Sequence, residues 1–296
     1  MIGDEAERYV EDPVRILRIA RFAARYGFQI ADETMSLMRK MVENGEADAL
    51  VAERVWQELA KGLMEKNPRK MIEVLRECGA LKVLLPELDA LFGVPQRADY
   101  HPEIDSGIHT LMVVQRAAEM NLSLAERYAA LLHDLGKAKT PADILPKHYG
   151  HDVNGVEPVR EVNQRLRAPK HCAELAELVC RWHIMLHQVG QFKSKTILNV
   201  LKKTDAFRRP ERFQTALNVC MADKQGRLNL EDAPYPQREH WLALLEAANQ
   251  VNAGKIAAEC RAQGKAHLIA EQIDHARLAQ ITPLQKAYQA DKVGGY

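Results

Sequence analysis

The chain has 296 residues, 47% of them hydrophobic and 27% charged, which is typical of a globular protein with a sizeable core. Its formal net charge of +1 excludes a strong overall positive field, so contacts with nucleic acid must come from local basic patches. The five cysteines contain no CxxC pair and no apolar run could span a bilayer, so we expect a cytoplasmic protein with reduced thiols and no membrane partner.

Helical periodicity dominates the sequence and decides the predicted fold class. Strand signals are nearly absent, whereas Ala, Leu, Glu, Arg and Lys recur at helical spacing from one end to the other. We therefore predict an all-α protein with a multi-helical neck and body, a helical bundle and a helical tail. The predicted helices cover residues 13–26, 32–43, 51–65, 68–78, 107–119, 124–135, 157–166, 171–186, 194–203, 210–224, 236–250, 253–260 and 266–276.

The segment EDPVRILRIARFAARYGF, residues 11–28, predicts an amphipathic first helix with a basic face. At about 100° per residue, four arginines fall within an arc of about 120°, and apolar residues cover the other side. These arginines are Arg15, Arg18, Arg21 and Arg25. By pattern alone, a solvated basic face is a more common explanation than a binding surface.

The most informative pair in the chain is His133-Asp134, which ends the apolar helical run of LAERYAALLHDLGKAKTP. Adjacent residues inside a helix point about 100° apart, but at a helix end an imidazole and a carboxylate can lean over one cation. Such a cation can polarise a phosphoryl oxygen and lower the pKa of a bound water. Lys137, just beyond, could neutralise phosphate charge, or it could be an ordinary lysine at a helix C-terminus.

Further candidate ligands lie on other predicted helices, and the set is more specific than any single member. His109 follows helix-capping residues in DSGIHTLMVV, and Asp223 ends an apolar helical segment in VCMADKQGR. Histidine and aspartate together form a mixed nitrogen–oxygen set that suits a divalent ion. His151 and His183 could bind a second metal or a phosphate, or they could merely line the pocket rim. The sequence thus predicts a metal-dependent phosphohydrolase, with His133, Asp134 and Lys137 as the catalytic residues.

This H…HD…D pattern resembles the HD phosphohydrolase superfamily over about residues 107–225, and the HDLGK run makes the resemblance fairly specific. The resemblance implies a bundle of helices around a divalent metal, for which Mg²⁺, Ni²⁺ and Mn²⁺ are the candidates. The implied metal ligands are His109, His133, Asp134 and Asp223.

EDxxR followed by RxxRF resembles the neck of the bacterial tRNA nucleotidyltransferases, or CCA-adding enzymes, and the resemblance continues through HPEIDSGIHTLM into the HD region. It implies that Asp12 and Arg15, with Arg18 beside them, contact the base of incoming CTP or ATP. The implied partners are nucleotides and the tRNA 3′ end. In the long bacterial form, the HD domain is similar to 2′,3′-cyclic phosphodiesterases, 2′-nucleotidases and phosphatases.

The sequence departs from this family at one point: it contains no DxD pair, and its GG dipeptide is Gly294-Gly295. We therefore expect the polymerase head to be absent and residues 1–296 to be unable to add C or A alone. The expected regions are a base-recognising neck at 1–65, a body or linker at 66–106, the HD domain at 107–225 and a helical tail at 226–296.

Two other functions, and the oligomeric state, stay open at this point. The chain could be a non-catalytic tRNA-binding fragment with a vestigial HD site, in which basic residues of 193–212 follow the phosphates. It could instead hydrolyse signalling nucleotides. The complete ligand set favours an enzyme over the first alternative, and the second leaves EDxxR unexplained. Both a monomer and a dimer are compatible with the sequence.

Overall fold

Helices form the regular secondary structure of the computed structural model, which describes residues 12–99 and 101–293. Within these ranges no β-strand forms, and the β-type pairing is one isolated bridge between Pro95 and Asp105. The all-α fold class predicted from the sequence is confirmed.

The helices are, in chain order, α1 (Val14–Tyr26), α2 (Asp32–Glu43), α3 (Ala52–Leu63), α4 (Pro68–Glu77), α5 (Ala80–Leu84), α6 (Pro86–Asp89), α7 (Ser106–Glu119), α8 (Leu124–Leu132), α9 (His151–Asn154), α10 (Val156–Leu166), α11 (Lys170–His187), α12 (Ser194–Lys203), α13 (Pro210–Gln225), α14 (Pro236–Asn249), α15 (Ala253–Ala262) and α16 (Ile269–Val293). Short 3₁₀ turns occur at Glu46–Ala49, Leu135–Lys139, Val189–Gln191 and Ala266–Leu268.

Each predicted helix corresponds to an observed one, but some boundaries were wrong. Helix α8 ends at Leu132 rather than at 135, because the chain tightens there into a 3₁₀ turn. Helix α16 continues far beyond residue 276 and contains Pro283. The helix persists past this proline because Ile281 is fully buried, and the side-chain amide of Gln285 donates to the carbonyls of Val189 and Phe192 at 2.9 and 2.8 Å.

The described residues divide into two compact units. The first contains the residues up to His183 together with Asn218–Ala233, and the second contains Ile184–Leu217 together with the residues from Pro234 onward. The fourfold division expected from the sequence stays a prediction. Among the helices described, none combines the length and the apolar character that a membrane span needs.

In the first unit, α1 packs its apolar side against α3 and α4. The residues that it buries are Val14, Ile16, Leu17, Ala20, Ala23 and Ala24, as the amphipathic pattern predicted. The helix ends at Gly27, whose φ of 71° lies in the left-handed region that glycine adopts without strain. On the basic face, Arg18 and Arg25 are exposed, whereas Arg21 is mostly covered and donates to Glu58 Oε2 at 2.8 Å.

Two capped helices, α7 and α8, pack against each other and support the candidate site. Asp105 caps α7 by accepting a hydrogen bond from the Ile108 amide at 2.9 Å, and Ser123 with Glu126 forms a capping box on α8. Tyr128 on α8 is fully buried and donates its hydroxyl to Asn163 Oδ1 at 2.9 Å. These contacts fix the C-terminal end of α8, where His133 and Asp134 lie.

In the second unit, Trp241 of α14 is fully buried and lies edge-on to Phe213, with ring centroids 5.8 Å apart. Its indole N–H donates to the Leu186 carbonyl at 2.9 Å, so the polar atom of this large side chain is satisfied inside the core.

Candidate functional site

The end of α8 brings two neighbouring side chains to one point. His133 is the C-cap with helical dihedrals, but Asp134 leaves the helix at φ −108° and ψ 11°. This break lets both side chains face the same side, with His133 Nε2 3.1 Å from Asp134 Oδ2. Adjacent residues in a continuous helix would point about 100° apart, so the helix end itself creates the pair.

The turn after Asp134 requires glycine because other backbone comes very close. A Cβ atom on Gly136 would lie 2.0 Å from the carbonyl oxygen of His151 and 2.7 Å from the amide nitrogen of Gly155. The start of α9 therefore rests directly on the turn. This close approach places His151 near Asp134.

The structure brings together the four residues predicted as metal ligands. His109 Nε2, on α7, lies 3.0 Å from Asp223 Oδ1 on α13 and 3.8 Å from Asp134 Oδ2. His133 Nε2 lies 4.0 Å from Asp223 Oδ1. Each of the four residues is at most 3% exposed. Three helices and one turn thus place two imidazoles and two carboxylates in one buried cluster.

His151 and His183 form a second cluster on the other oxygen of Asp134. His151 Nε2 lies 3.2 Å from Asp134 Oδ1, and His183 Nε2 lies 3.5 Å from the same oxygen. The two imidazole nitrogens are 3.2 Å apart. Asp134 therefore faces both clusters, one with each carboxylate oxygen.

Backbone carbonyls orient three of these imidazoles. The Nδ1 atoms of His133, His151 and His183 lie 2.8, 2.7 and 3.0 Å from the carbonyl oxygens of Ala130, His148 and Cys180. A carbonyl can only accept, so each Nδ1 carries a proton and donates it. In the neutral ring, Nε2 then keeps its lone pair and points into the cluster.

The clusters consequently gather electron-pair donors that require a cation. His133 Nε2 and Asp134 Oδ1 are buried without a hydrogen bond of acceptable geometry. Buried acceptors without a partner are costly, and a metal ion would remove that cost. Imidazole nitrogens and carboxylate oxygens suit a borderline or hard divalent metal. The residues at this site therefore fit the implied metal.

Protonation in the metal-free chain follows from burial and neighbouring charge. Burial raises the pKa of Asp134, but His133 and Lys137 outweigh burial and hold that pKa well below its usual value. Burial lowers the pKa of His133, yet the Asp134 carboxylate reverses the effect and raises it. Burial lowers the pKa of His183 to about 3. Asp134 thus stays anionic, and His183 stays a neutral imidazole that can bind a metal.

Lys137 contributes its charge to the site through Asp134. Its Nζ lies 2.6 Å from Asp134 Oδ2 and donates to Gln96 Oε1 at 2.8 Å, and the residue is only 5% exposed. Lys137 also lies in the last turn of the 3₁₀ helix Leu135–Lys139, so its catalytic role stays a prediction.

The sequence reasoning missed several residues that surround the ligands: Gln96, His101, Glu103 and Arg227. Glu103 Oε1 lies 2.8 Å from His109 Nδ1 and 3.0 Å from His101 Nδ1. Burial raises the pKa of Glu103, but these two imidazoles outweigh it and lower the pKa. Burial lowers the pKa of His101 to about 4. Arg227 lies 3.4 Å from Asp223 Oδ1. The sequence signal that could have indicated His101 and Glu103 is the string HPEID, which places a histidine and a glutamate shortly before His109.

Asp12, Arg15 and Arg18 lie on or just before α1, on a different element from the clustered ligands. Asp12 Oδ1 accepts from the Val14 amide at 3.2 Å and lies 3.4 Å from Arg54 of α3. Arg18 lies 3.7 Å from Glu58 of α3, and nearly half of its side chain is exposed. Glu11, the first residue of EDxxR, lies outside the described residues.

Two protein-family models match the chain. Residues 27–92 match the model described as the probable RNA- and SrmB-binding site of polymerase A, and residues 107–281 match the HD domain. The second match extends well beyond the predicted limit of 225.

Curated relatives match almost the whole chain. The chain is 86% identical over 282 residues to the multifunctional CCA protein of Neisseria meningitidis serogroup C (strain 053442), covering 95% of this chain and 68% of the relative. It is 54% identical over 286 residues to the multifunctional CCA protein of Chromobacterium violaceum, covering 97% and 70%. The chain thus spans about two thirds of the length of these relatives.

Solved structures share the fold at low sequence identity. A CCA-adding enzyme in complex with CTP matches with a TM-score of 0.56 and 17% identity, over 97% of this chain and 62% of that one. A complex with ATP matches with a TM-score of 0.55 and 16% identity, over 96% and 60%. At these identities the likeness shows the fold alone.

Proposed function

Because the chain belongs to the family of multifunctional CCA proteins and carries an HD domain, we propose that its buried cluster is a metal-dependent phosphohydrolase site. The parent activity that we propose is tRNA nucleotidyl transfer, which adds or repairs CCA at tRNA 3′ ends with CTP and ATP. The proposed substrates of the hydrolase are 2′,3′-cyclic phosphates, 2′-phosphomonoesters and other phosphomonoesters.

The observation that carries the hydrolase proposal is the convergence of lone pairs on Asp134. One carboxylate oxygen lies 3.1 Å from His133 Nε2 and the other 3.2 Å from His151 Nε2. Lys137 compensates one of these oxygens, but Asp134 Oδ1 and His133 Nε2 are buried without a hydrogen bond of acceptable geometry, which is unfavourable without a further cation. A vestigial site would have no reason to retain it.

Four residues would hold the first divalent ion: His109, His133, Asp134 and Asp223. Asp134, His151 and His183 would hold a second ion or a phosphate group. When bound, a divalent metal such as Mg²⁺, Ni²⁺ or Mn²⁺ polarises a phosphoryl oxygen and lowers the pKa of a coordinated water. The chain's residues supply the orientation: backbone carbonyls fix the imidazoles, and burial limits competing water. Lys137 offsets part of the negative charge that a phosphoester brings.

Metal loading followed by a hydrolysis screen tests this proposal. The chain is stripped with a chelator, reloaded with Mg²⁺, Ni²⁺ or Mn²⁺, and assayed on 2′,3′-cyclic AMP, 2′-AMP and a guanosine polyphosphate. We expect hydrolysis of the first two only after reloading, and metal analysis gives the number of ions bound. His183→Ala should lower that number, whereas His275→Ala, which removes an exposed histidine, should not.

A chain that binds no divalent metal and hydrolyses none of these compounds would be the non-catalytic RNA-binding fragment. Hydrolysis confined to the guanosine polyphosphate would instead assign the site to signalling nucleotides.

We further propose that the basic face of α1 reads nucleotide bases in the parent enzyme. Asp12 offers a carboxylate and Arg15 a forked guanidinium, which together can match the edge of cytosine or adenine. Arg18 adds positive charge on an exposed side chain. In this proposal, 1–65 forms the recognition neck, 66–106 the body, 107–225 the hydrolase and 226–296 the tail.

Arg15→Ala should therefore separate the two proposed sites. Hydrolysis of 2′,3′-cyclic AMP by the chain should stay within about twofold of the wild type, because Arg15 lies on α1, a different element from those that carry the clustered ligands, and residues without shared partners couple weakly. In a protein that also carries a polymerase head, the preference for CTP and ATP should fall by about ten- to a hundredfold, the value of one bidentate base contact. Loss of hydrolysis in a folded Arg15→Ala chain would contradict the two-site proposal.

A further inference from the structure

His109 is oriented differently from the other three clustered histidines. The Nδ1 atoms of His133, His151 and His183 face backbone carbonyls, which no substitution removes. The Nδ1 atom of His109 faces a side chain instead, with Glu103 Oε1 2.8 Å away. The tautomer of His109 therefore depends on one glutamate, and a mutation can change it.

Glu103 is built into a buried network rather than placed there loosely. Its side chain is 3% exposed. It accepts hydrogen bonds from His101 Nδ1 at 3.0 Å, from Gln96 Nε2 at 3.4 Å and from the Leu228 amide at 3.4 Å. Gln96 in turn accepts from Lys137 at 2.8 Å. One network thus connects Glu103 with both Asp134 and Asp223, through Lys137 and His109.

Two protonation patterns compete at His109. Both ring nitrogens face a carboxylate, and Nδ1 makes the shorter contact, 2.8 Å from Glu103 Oε1, which favours the proton on Nδ1. The opposite ring atom, Nε2, lies 3.0 Å from Asp223 Oδ1. If Nε2 carried the proton, it would donate to Asp223, and this hydrogen bond would occupy two ligand atoms at once. The contact with Glu103 is close but poorly aligned as a hydrogen bond, so it acts mainly by electrostatic attraction.

We propose that Glu103 is a positioning residue that keeps the proton of His109 on Nδ1 and so keeps Nε2 available as a metal ligand. This inference rests on the proposed function, since it assumes that the cluster binds a divalent ion. Glu103 precedes residue 107, where the match to the HD domain begins. The site thus depends on a carboxylate from outside the matched domain.

Nuclear magnetic resonance of metal-free protein tests the proposal directly. The chain is labelled with ¹⁵N-histidine, and long-range ¹H–¹⁵N correlations are recorded at pH ~8.5, above the ordinary histidine pKa of about 6.5. We expect the His109 proton on Nδ1 in the wild type and in Glu103→Gln, whose amide oxygen still accepts. In Glu103→Ala, the proton should move to Nε2. A spectrum of His109→Gln identifies the signal.

Manganese affinity provides the second measurement. Loss of a partner that orients a ligand typically lowers metal affinity by about 10- to 100-fold. We expect a loss in that range for Glu103→Ala and a smaller loss for Glu103→Gln. Glu119→Gln, at an exposed position near the other end of α7, should bind Mn²⁺ as the wild type does.

If His109 in the wild type carries its proton only on Nε2, the proposal is overturned. This outcome does not require the Glu103→Ala variant to be stable. A folded Glu103→Ala chain with the wild-type tautomer and Mn²⁺ affinity would overturn it as well. A wild-type chain that binds no Mn²⁺, Mg²⁺ or Ni²⁺ contradicts the proposed function instead, while the tautomer still decides the role of Glu103.

Discussion

Asp134→Asn is expected to abolish metal retention and phosphoester hydrolysis together. The substitution keeps the shape of the side chain but removes the negative charge that faces both clusters, 3.1 Å from His133 and 3.2 Å from His151. Since loss of a mere orienting partner costs about 10- to 100-fold, loss of a shared ligand should exceed a hundredfold. Hydrolysis of 2′,3′-cyclic AMP and metal analysis of the purified chain measure the two effects.

The same change should destabilise the chain only moderately. Lys137 loses its anionic partner in a buried place, and breaking a buried ion pair costs about 3–5 kcal/mol. The hydrogen bond from Lys137 to Gln96 remains, so we expect a loss of stability near the lower value of that range. Asp205→Asn, in the second unit, is a suitable control because asparagine tolerates the positive φ of 58° there. Wild-type hydrolysis by a folded Asp134→Asn chain would refute the site.

Gly136→Ala, which adds one methyl group, is expected to displace backbone and to destabilise the chain strongly. The added Cβ would lie 2.0 Å from the His151 carbonyl oxygen and 2.7 Å from the Gly155 nitrogen, and backbone atoms cannot rotate away. Overpacking typically costs about 1–3 kcal/mol, and contacts this short should place the cost at or above the upper value. Urea denaturation, followed by circular dichroism, measures the loss of stability.

The displacement should also affect metal binding, because α9 must move away from Asp134 and take His151 with it. We expect the folded fraction of Gly136→Ala to lose the second ion before the first. Gly254→Ala is the matched control: its Cβ would meet only Asn252 Oδ1, at 3.5 Å. That change should be neutral or stabilising by up to about 1 kcal/mol, since alanine favours a helix. Equal stability of the two variants would show that the turn after Asp134 accepts a side chain.

Most helices could be predicted because their signals are local. The alternation of apolar and polar residues in α1, and the Ser123–Glu126 capping box of α8, act over one or two turns. Helices α5, α6 and α9 were not predicted, because each has only four or five residues and so shows too little helical periodicity to recognise. The continuation of α16 past Pro283 depends on contacts of Gln285 with residues almost a hundred positions earlier.

The sequence by itself determined the all-α fold class and, through HDLGK and EDxxR, the family resemblance that the comparisons bore out. It also supplied the candidate ligands, because histidine and aspartate at helix ends carry recognisable chemistry. Only the tertiary structure decided that Asp134 faces two clusters and that Glu103 lies beside His109. Those relations join segments far apart in the chain, such as Gln96 with Lys137, and packing rather than local pattern sets such distances.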